Sequence, residues 1–195
     1  MSAPFSYLVF VRSRNVFLIG LMGSGKTTIG QLLARRIGQP FVDSDHELEQ
    51  RTGVSVATIF EIEGETAFRL REASIIEELT QSQGIVLGTG GGVILNTNSR
   101  RVLHERGTVV YLHSTAETSY ERVRRARDRP LLLVTDPLAR LRQLYEARHP
   151  LYLETAHYTI ESYRDRPSAV VAEIVQRLEA DQAPQALAAT PSLAK

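Results

Sequence analysis

The chain has 195 residues, 43% of them hydrophobic, which is enough to fill the core of one compact domain. Lys and Arg number 23 against 22 for Asp and Glu, and a formal net charge of +1 gives no general pull toward nucleic acid or a membrane surface. The absence of cysteine excludes a disulfide scaffold and thiolate metal sites, and is compatible with a reducing cytoplasm.

No segment approaches the ~18 consecutive apolar residues that a membrane-spanning helix needs. The apolar stretch Phe5-Ser6-Tyr7-Leu8-Val9-Phe10-Val11 is short, with no basic region before it and no small-residue cleavage site after it, so it does not read as a signal peptide. Residues 1–14 are taken as an N-terminal extension. Val16-Phe17-Leu18-Ile19 reads as a buried strand. A helix follows, with Ile29, Leu32, Leu33 and Ile37 at helical spacing, Gly38 as its C-terminal cap and Pro40 beyond. Phe41-Val42 forms a short second strand that runs into Asp43-Ser44-Asp45. Helices are predicted over 45–52, 55–63 and 65–82, separated by Gly53 and Gly64, and the last carries Phe68, Ile75, Ile76 and Leu79 on one face.

Ile85-Val86-Leu87 is a third strand ending in Gly88-Thr89-Gly90-Gly91-Gly92. A further helix, a strand at Val109-Val110-Tyr111-Leu112, a helix over 116–124 and an Arg-rich loop come next. A helix over 137–148, a strand near Tyr158-Thr159-Ile160 and a helix over 167–178 close the domain. Strands alternating with helices imply an α/β fold whose mainly parallel sheet is covered on both faces. The domain is expected to span 15–179. Residues 180–195 turn to Ala, Pro, Gln, Ser and Thr and read as a disordered tail.

Gly20-Leu21-Met22-Gly23-Ser24-Gly25-Lys26-Thr27 matches G-x-x-x-x-G-K-[ST] in full, between a buried strand and an amphipathic helix. Glycines let backbone amides turn inward around phosphate oxygens, and the helix N-terminus adds a favourable dipole. Lys26 can reach the outer phosphates, and the Thr27 hydroxyl can ligate Mg²⁺. Such a loop alone would also fit a GTPase, a motor or a transporter ATPase.

Asp43 and Asp45 narrow the choice. They sit two apart at the C-terminal end of a strand, where open α/β sheets place their ligands. One carboxylate can serve Mg²⁺ while its neighbour faces an acceptor hydroxyl; the alternative is plain helix capping. Gly90-Gly91-Gly92 is either a flexible turn or a backbone that approaches a ligand closely. Arg69 and Arg71 lie early in the 65–82 helix, where solvation or a surface ion pair is the ordinary fate of an arginine. Arg122, Arg124, Arg125, Arg127 and Arg129 crowd the segment ahead of Pro130-Leu131-Leu132, and we read residues 122–135 as a mobile lid carrying cations over the transferred group. All basic residues but Lys26 and Lys195 are arginine, the side chain better suited to a two-pronged grip on carboxylate or phosphate.

The P-loop, the Asp-Ser-Asp turn, Phe68-Arg69, the triple glycine, Arg129-Pro130-Leu131-Leu132 and Arg148-His149-Pro150-Leu151-Tyr152 occur in an order and spacing that resembles shikimate kinase over about 15–178. The resemblance implies a P-loop NTPase-type three-layer α/β/α fold with a five-stranded parallel sheet, like nucleoside-monophosphate kinases, and a mobile lid. It implies ATP and shikimate as substrates and Mg²⁺ as metal. The balanced charge and small size make a monomer the default, with no nucleic-acid or membrane partner expected, and a cytoplasmic location is expected. Lys26, Asp45 and Arg129 would be catalytic, with Asp45 binding the shikimate hydroxyls. Gly23, Ser24, Gly25, Lys26, Thr27, Thr28, Arg122, Arg129 and Pro167 would hold the nucleotide, and Thr27 and Asp43 the metal. Arg69 and Arg148 would pair with the shikimate carboxylate, and Gly90, Gly91 and Gly92 would line the same pocket. Arg124 or Arg125 could take the place of Arg122 beside adenine. The rival enzyme is a gluconate kinase or a related small-acid kinase. The rival of another class is a nucleotide-binding regulatory module without turnover.

Overall fold

The computed structural model of the chain describes residues 14–124, 130–163 and 166–188, with side chains as far as residue 181 and none for Pro130. Five parallel strands form one sheet: β1 (Val16–Ile19), β2 (Phe41–Asp43), β3 (Val86–Gly88), β4 (Thr108–His113) and β5 (Tyr158–Glu161), in the order β2-β3-β1-β4-β5. The helices are α1 (Lys26–Ile37), α2 (Ser44–Thr52), α3 (Val56–Leu79), α4 (Thr97–Arg106), α5 (Ala116–Val123), α6 (Pro137–Thr155) and α7 (Pro167–Ala188).

All four residues of β1 are buried because the strand is covered on both faces. Phe17 and Ile19 point into a core layer with Leu87, Val109 and Tyr111 under α3, α4 and α6. Val16 and Leu18 point the other way, into a layer with Val110, Leu112 and Ile160 under α1 and α7. The period of two along each strand thus feeds two separate cores. The chain leaves β1 for β2 on one side and returns past β1 to β4 on the other, so the C-terminal ends of β1, β2 and β3 open onto a switch-point crevice.

Several expectations about the elements shift. In α1 the buried stripe is Ile29, Gly30, Leu33, Ala34 and Ile37, while Leu32 is exposed. Residues 56–79 are assigned as one helix, yet Gly64 at φ 80° breaks its geometry, as the glycine boundary suggested. α6 does not stop at Arg148 but continues through Pro150 to Thr155. Proline costs that helix one N–H, but burial of Leu144, Arg148, Tyr152 and Thr155 on one face outweighs the loss. α7 runs to Ala188 rather than ending at 178; Ala, Glu and Gln in 179–188 are good helix formers. The expected tail boundary at 180 is therefore too early for the helix, and residues 1–13 and 189–195 lie outside the described residues.

Candidate active site

The phosphate loop bridges β1 and α1. Gly20, Gly23 and Gly25 all have positive φ, and a Cβ on Gly23 would come within 2.8 Å of the Ser119 carbonyl oxygen. Its N-cap is Gly25, so no side chain caps α1 at this end. The first amides of the helix are left to serve an anion. Lys26 folds back over the loop: its Nζ donates to the carbonyls of Gly20 at 2.8 Å and Leu21 at 2.9 Å, and lies 3.5 Å from Ser24 Oγ. Ser24 itself is buried beneath the loop.

Asp43 ends β2 and caps α2, and its two oxygens divide the work. Oδ1 accepts the amides of Asp45 at 3.1 Å and His46 at 3.4 Å, while Oδ2 accepts the Thr27 hydroxyl at 3.1 Å. Of the two readings posed from the sequence, capping is present at Oδ1, while Oδ2 faces Thr27 on the phosphate-loop side. A cleft of about 770 Å³ joins this turn to the phosphate loop. Gly23, Gly25, Lys26, Thr27, Thr28, Asp43, Asp45, Gly91 and Arg122 all line it.

Of the glycine loop after β3, Gly91 lines the cleft, whereas Gly90, Gly92, Arg69 and Arg148 do not. A Cβ on Gly90 would fall on Glu72 Oε1 and 2.8 Å from Asp45 Oδ1, and one on Gly92 would fall on the Arg69 guanidinium. Only glycine permits so close an approach. Arg69 donates to Glu72 at 2.8 Å and to Glu65 at 3.0 Å, and lies over the rings of Phe68 and Phe60. Burial works against its charge, but Glu72 and then Glu65 outweigh that and hold its pKa above the ordinary value. Arg148, 3% exposed, donates to the Gly91 carbonyl at 3.3 Å, and burial lowers its pKa. Two arginines therefore flank the same short loop, one paired with carboxylates and one held mainly against a carbonyl.

Glu72 was missed from the sequence. It is 4% exposed, burial pushes its carboxyl up despite Arg69 and Arg148, and Oε1 has no hydrogen-bond partner among the described residues. The signal was there: Phe68, Glu72, Ile75, Ile76 and Leu79 form one helical stripe, so a glutamate occupies an i+4 position of an apolar face.

Other expected residues fare differently. Arg122 donates to the carbonyls of Gly23 at 3.1 Å and Ser162 at 3.0 Å, tying the phosphate loop to the end of β5. Arg124 pairs instead with Glu121 at 2.9 Å, and Arg71 with Glu63 at 2.8 Å, away from the cleft. Pro167 is exposed at the first turn of α7 and does not line the cleft. Arg125, Arg127 and Arg129 lie outside the described residues, as does part of the lid expected over 122–135. Among the described residues no helix is long and apolar enough to cross a membrane.

A family model described as shikimate kinase matches residues 22–179. A shikimate kinase from Burkholderia thailandensis is 53% identical over 165 residues, covering 85% of this chain and 90% of that protein. A solved shikimate kinase from Acinetobacter baumannii in complex with shikimate superposes with a TM-score of 0.87 at 43% identity, covering 91% of this chain and 99% of that one. A gluconokinase from Sinorhizobium meliloti, at 17% identity and a TM-score of 0.56 over 91% of this chain and 98% of that one, shares the fold alone.

Proposed function

The chain belongs to the shikimate kinase family, and from that premise we propose that it transfers the γ-phosphoryl group of ATP to the 3-hydroxyl of shikimate, giving 3-phosphoshikimate and ADP. One observation carries the reading: one cleft is lined by the phosphate-binding loop and by Asp45 and Gly91, and the Gly91 carbonyl accepts a hydrogen bond from the buried Arg148.

The roles follow from charge and reach. Backbone amides from Gly23 to Thr28 would surround the ATP phosphates, with Lys26 swinging from the Gly20 and Leu21 carbonyls onto the outer ones. Thr27 and Asp43 fit Mg²⁺, since a hydroxyl and a carboxylate already converge at 3.1 Å and this metal wants oxygen donors. When bound, the ion would neutralise charge between the outer phosphates. Asp45 would orient the acceptor hydroxyl and take its proton. Arg69 and Arg148 would receive the carboxylate, with Gly90, Gly91 and Gly92 admitting the ring at close range. Arg122, which lines the cleft, would border the adenine, and Arg129 would meet the transferring group. A monomer acting in the cytoplasm remains the working expectation.

Phosphorus NMR of the reaction mixture tests the chemistry. ADP and one new phosphate monoester, coupled to the ring proton at the 3 position, are expected in equal amounts. A monoester coupled elsewhere, or ADP with free phosphate alone, would refute the assignment.

Arg69→Ala tests the carboxylate site. Loss of a charge-assisted hydrogen bond is worth roughly 1.5–3 kcal/mol, so the KM for shikimate is expected to rise about 10- to 150-fold, with the KM for ATP nearly unchanged. An unaltered acceptor KM would remove Arg69 from the site.

A further inference from the structure

The segment Arg148-His149-Pro150-Leu151-Tyr152 carries one side chain that the proposed reaction leaves unused. Tyr152 lies one turn beyond Arg148 on the same face of α6 and is 0% exposed. Its hydroxyl donates to the Gly91 carbonyl at 2.5 Å, the same oxygen that accepts Arg148 Nη1 at 3.3 Å. The ring is fixed by stacking on Tyr111 at 4.8 Å between centroids, and the Tyr111 hydroxyl lies 2.9 Å from His149 Nδ1. From the other direction, the buried Ser44 Oγ accepts the Gly90 amide at 3.0 Å.

A triple glycine has no side chains by which it can be held, and its backbone has the most conformational freedom to lose. Besides close packing, its position is set through main-chain polar atoms: the Gly90 and Gly92 carbonyls accept the Val93 and Leu95 amides of the following turn at 3.3 and 2.9 Å, which leaves the Gly90 amide and the Gly91 carbonyl to side chains. A carbonyl oxygen offers two lone pairs, and at Gly91 Arg148 and Tyr152 take one each. Any movement of that carbonyl therefore shifts the anchor of Arg148 as well. Ser44 stands between Asp43 and Asp45, so the turn that presents both carboxylates also keeps the glycine loop in register with them.

We infer that Tyr152 and Ser44 are positioning residues for the acceptor: they clamp the glycine loop between α6 and the start of α2, and thereby set where Arg148 meets the acceptor carboxylate. The inference rests on the reading of Arg148 as an acceptor-binding residue. Neither side chain needs to touch substrate; Ser44 acts through the loop, and Tyr152 acts through the loop and through its own contact with Arg148.

Tyr152→Phe keeps the ring in the core, and Ser44→Ala removes one oxygen, so both variants are expected to fold. Each is expected to raise the KM for shikimate about 3- to 10-fold, the range of one net hydrogen bond, with kcat and the KM for ATP changed less than about two-fold. A second measurement needs no substrate. Amide exchange at Gly90, followed by NMR in the full chain, is expected to quicken about ten-fold or more in Ser44→Ala, while the β1 amides stay protected. An unchanged shikimate KM in both variants overturns the inference, as does a fall in kcat that exceeds the rise in KM. Unchanged Gly90 exchange in Ser44→Ala also overturns it. If the unmodified enzyme did not turn over shikimate, the substrate assignment would fall alone, and the exchange result would still decide the clamp.

Discussion

Lys26→Ala is expected to lower kcat by about 10²- to 10³-fold, the usual cost of removing one donor aimed at developing negative charge. Phosphoryl transfer demands little covalent chemistry of the protein, so alignment and charge neutralisation carry most of the acceleration. Lys26 is the one lysine among the described residues, and its Nζ already lies over the loop, on the Gly20 and Leu21 carbonyls. Those contacts are partly exposed and neutral at the acceptor end, so their loss takes little from stability. The variant should melt close to the parent protein, and circular dichroism checks this. Turnover near the parent rate in a folded Lys26→Ala protein would contradict the cradle assignment.

Asp45→Asn is expected to lower kcat by about 10²- to 10⁴-fold, the range for loss of a positioned general base. The substitution is close to isosteric. The amide of Asp45, which Asp43 caps, is untouched by it, so α2 keeps its start. Asparagine can still accept a hydrogen bond from the acceptor hydroxyl but cannot take its proton. The KM for shikimate should therefore move much less than kcat. Steady-state kinetics separate the two, and a rise in KM with normal kcat would make Asp45 a binding residue only.

The phosphate loop was legible because its chemistry is contiguous: eight adjacent residues carry the turn, the cation and the hydroxyl. The strands were legible for a similar reason, since burial on both faces leaves short unbroken apolar runs such as Val16 to Ile19. Features that depend on distant contacts were not. Glu72 matters because it is buried against Arg69 and the glycine loop, and a charged residue on a helix gives no local sign of that beyond its place in the apolar stripe. Tyr152 meets Gly91 across 61 positions. The sequence reading ended α6 at Arg148, seven residues before Thr155, and so did not show that Arg148 and Tyr152 share a face. Asp43 shows why two readings framed as exclusive need not be: one oxygen caps α2 while the other is left facing Thr27. Leu32 fitted the helical period of α1, yet smaller Gly30 and Ala34 face the sheet, Gly30 where a Cβ would strike Phe41.

This cleft is expected to phosphorylate shikimate in particular, and gluconate is the informative comparison because it also offers a carboxylate with several hydroxyls. The measurement is ADP release with ATP and Mg²⁺, using shikimate and gluconate at equal concentrations. We predict turnover with shikimate and none above background with gluconate. Turnover with gluconate alone would leave the phosphate loop standing and show the arginine and glycine assignments to be wrong. Turnover with neither, despite ATP binding, would make the chain a regulatory nucleotide-binding module.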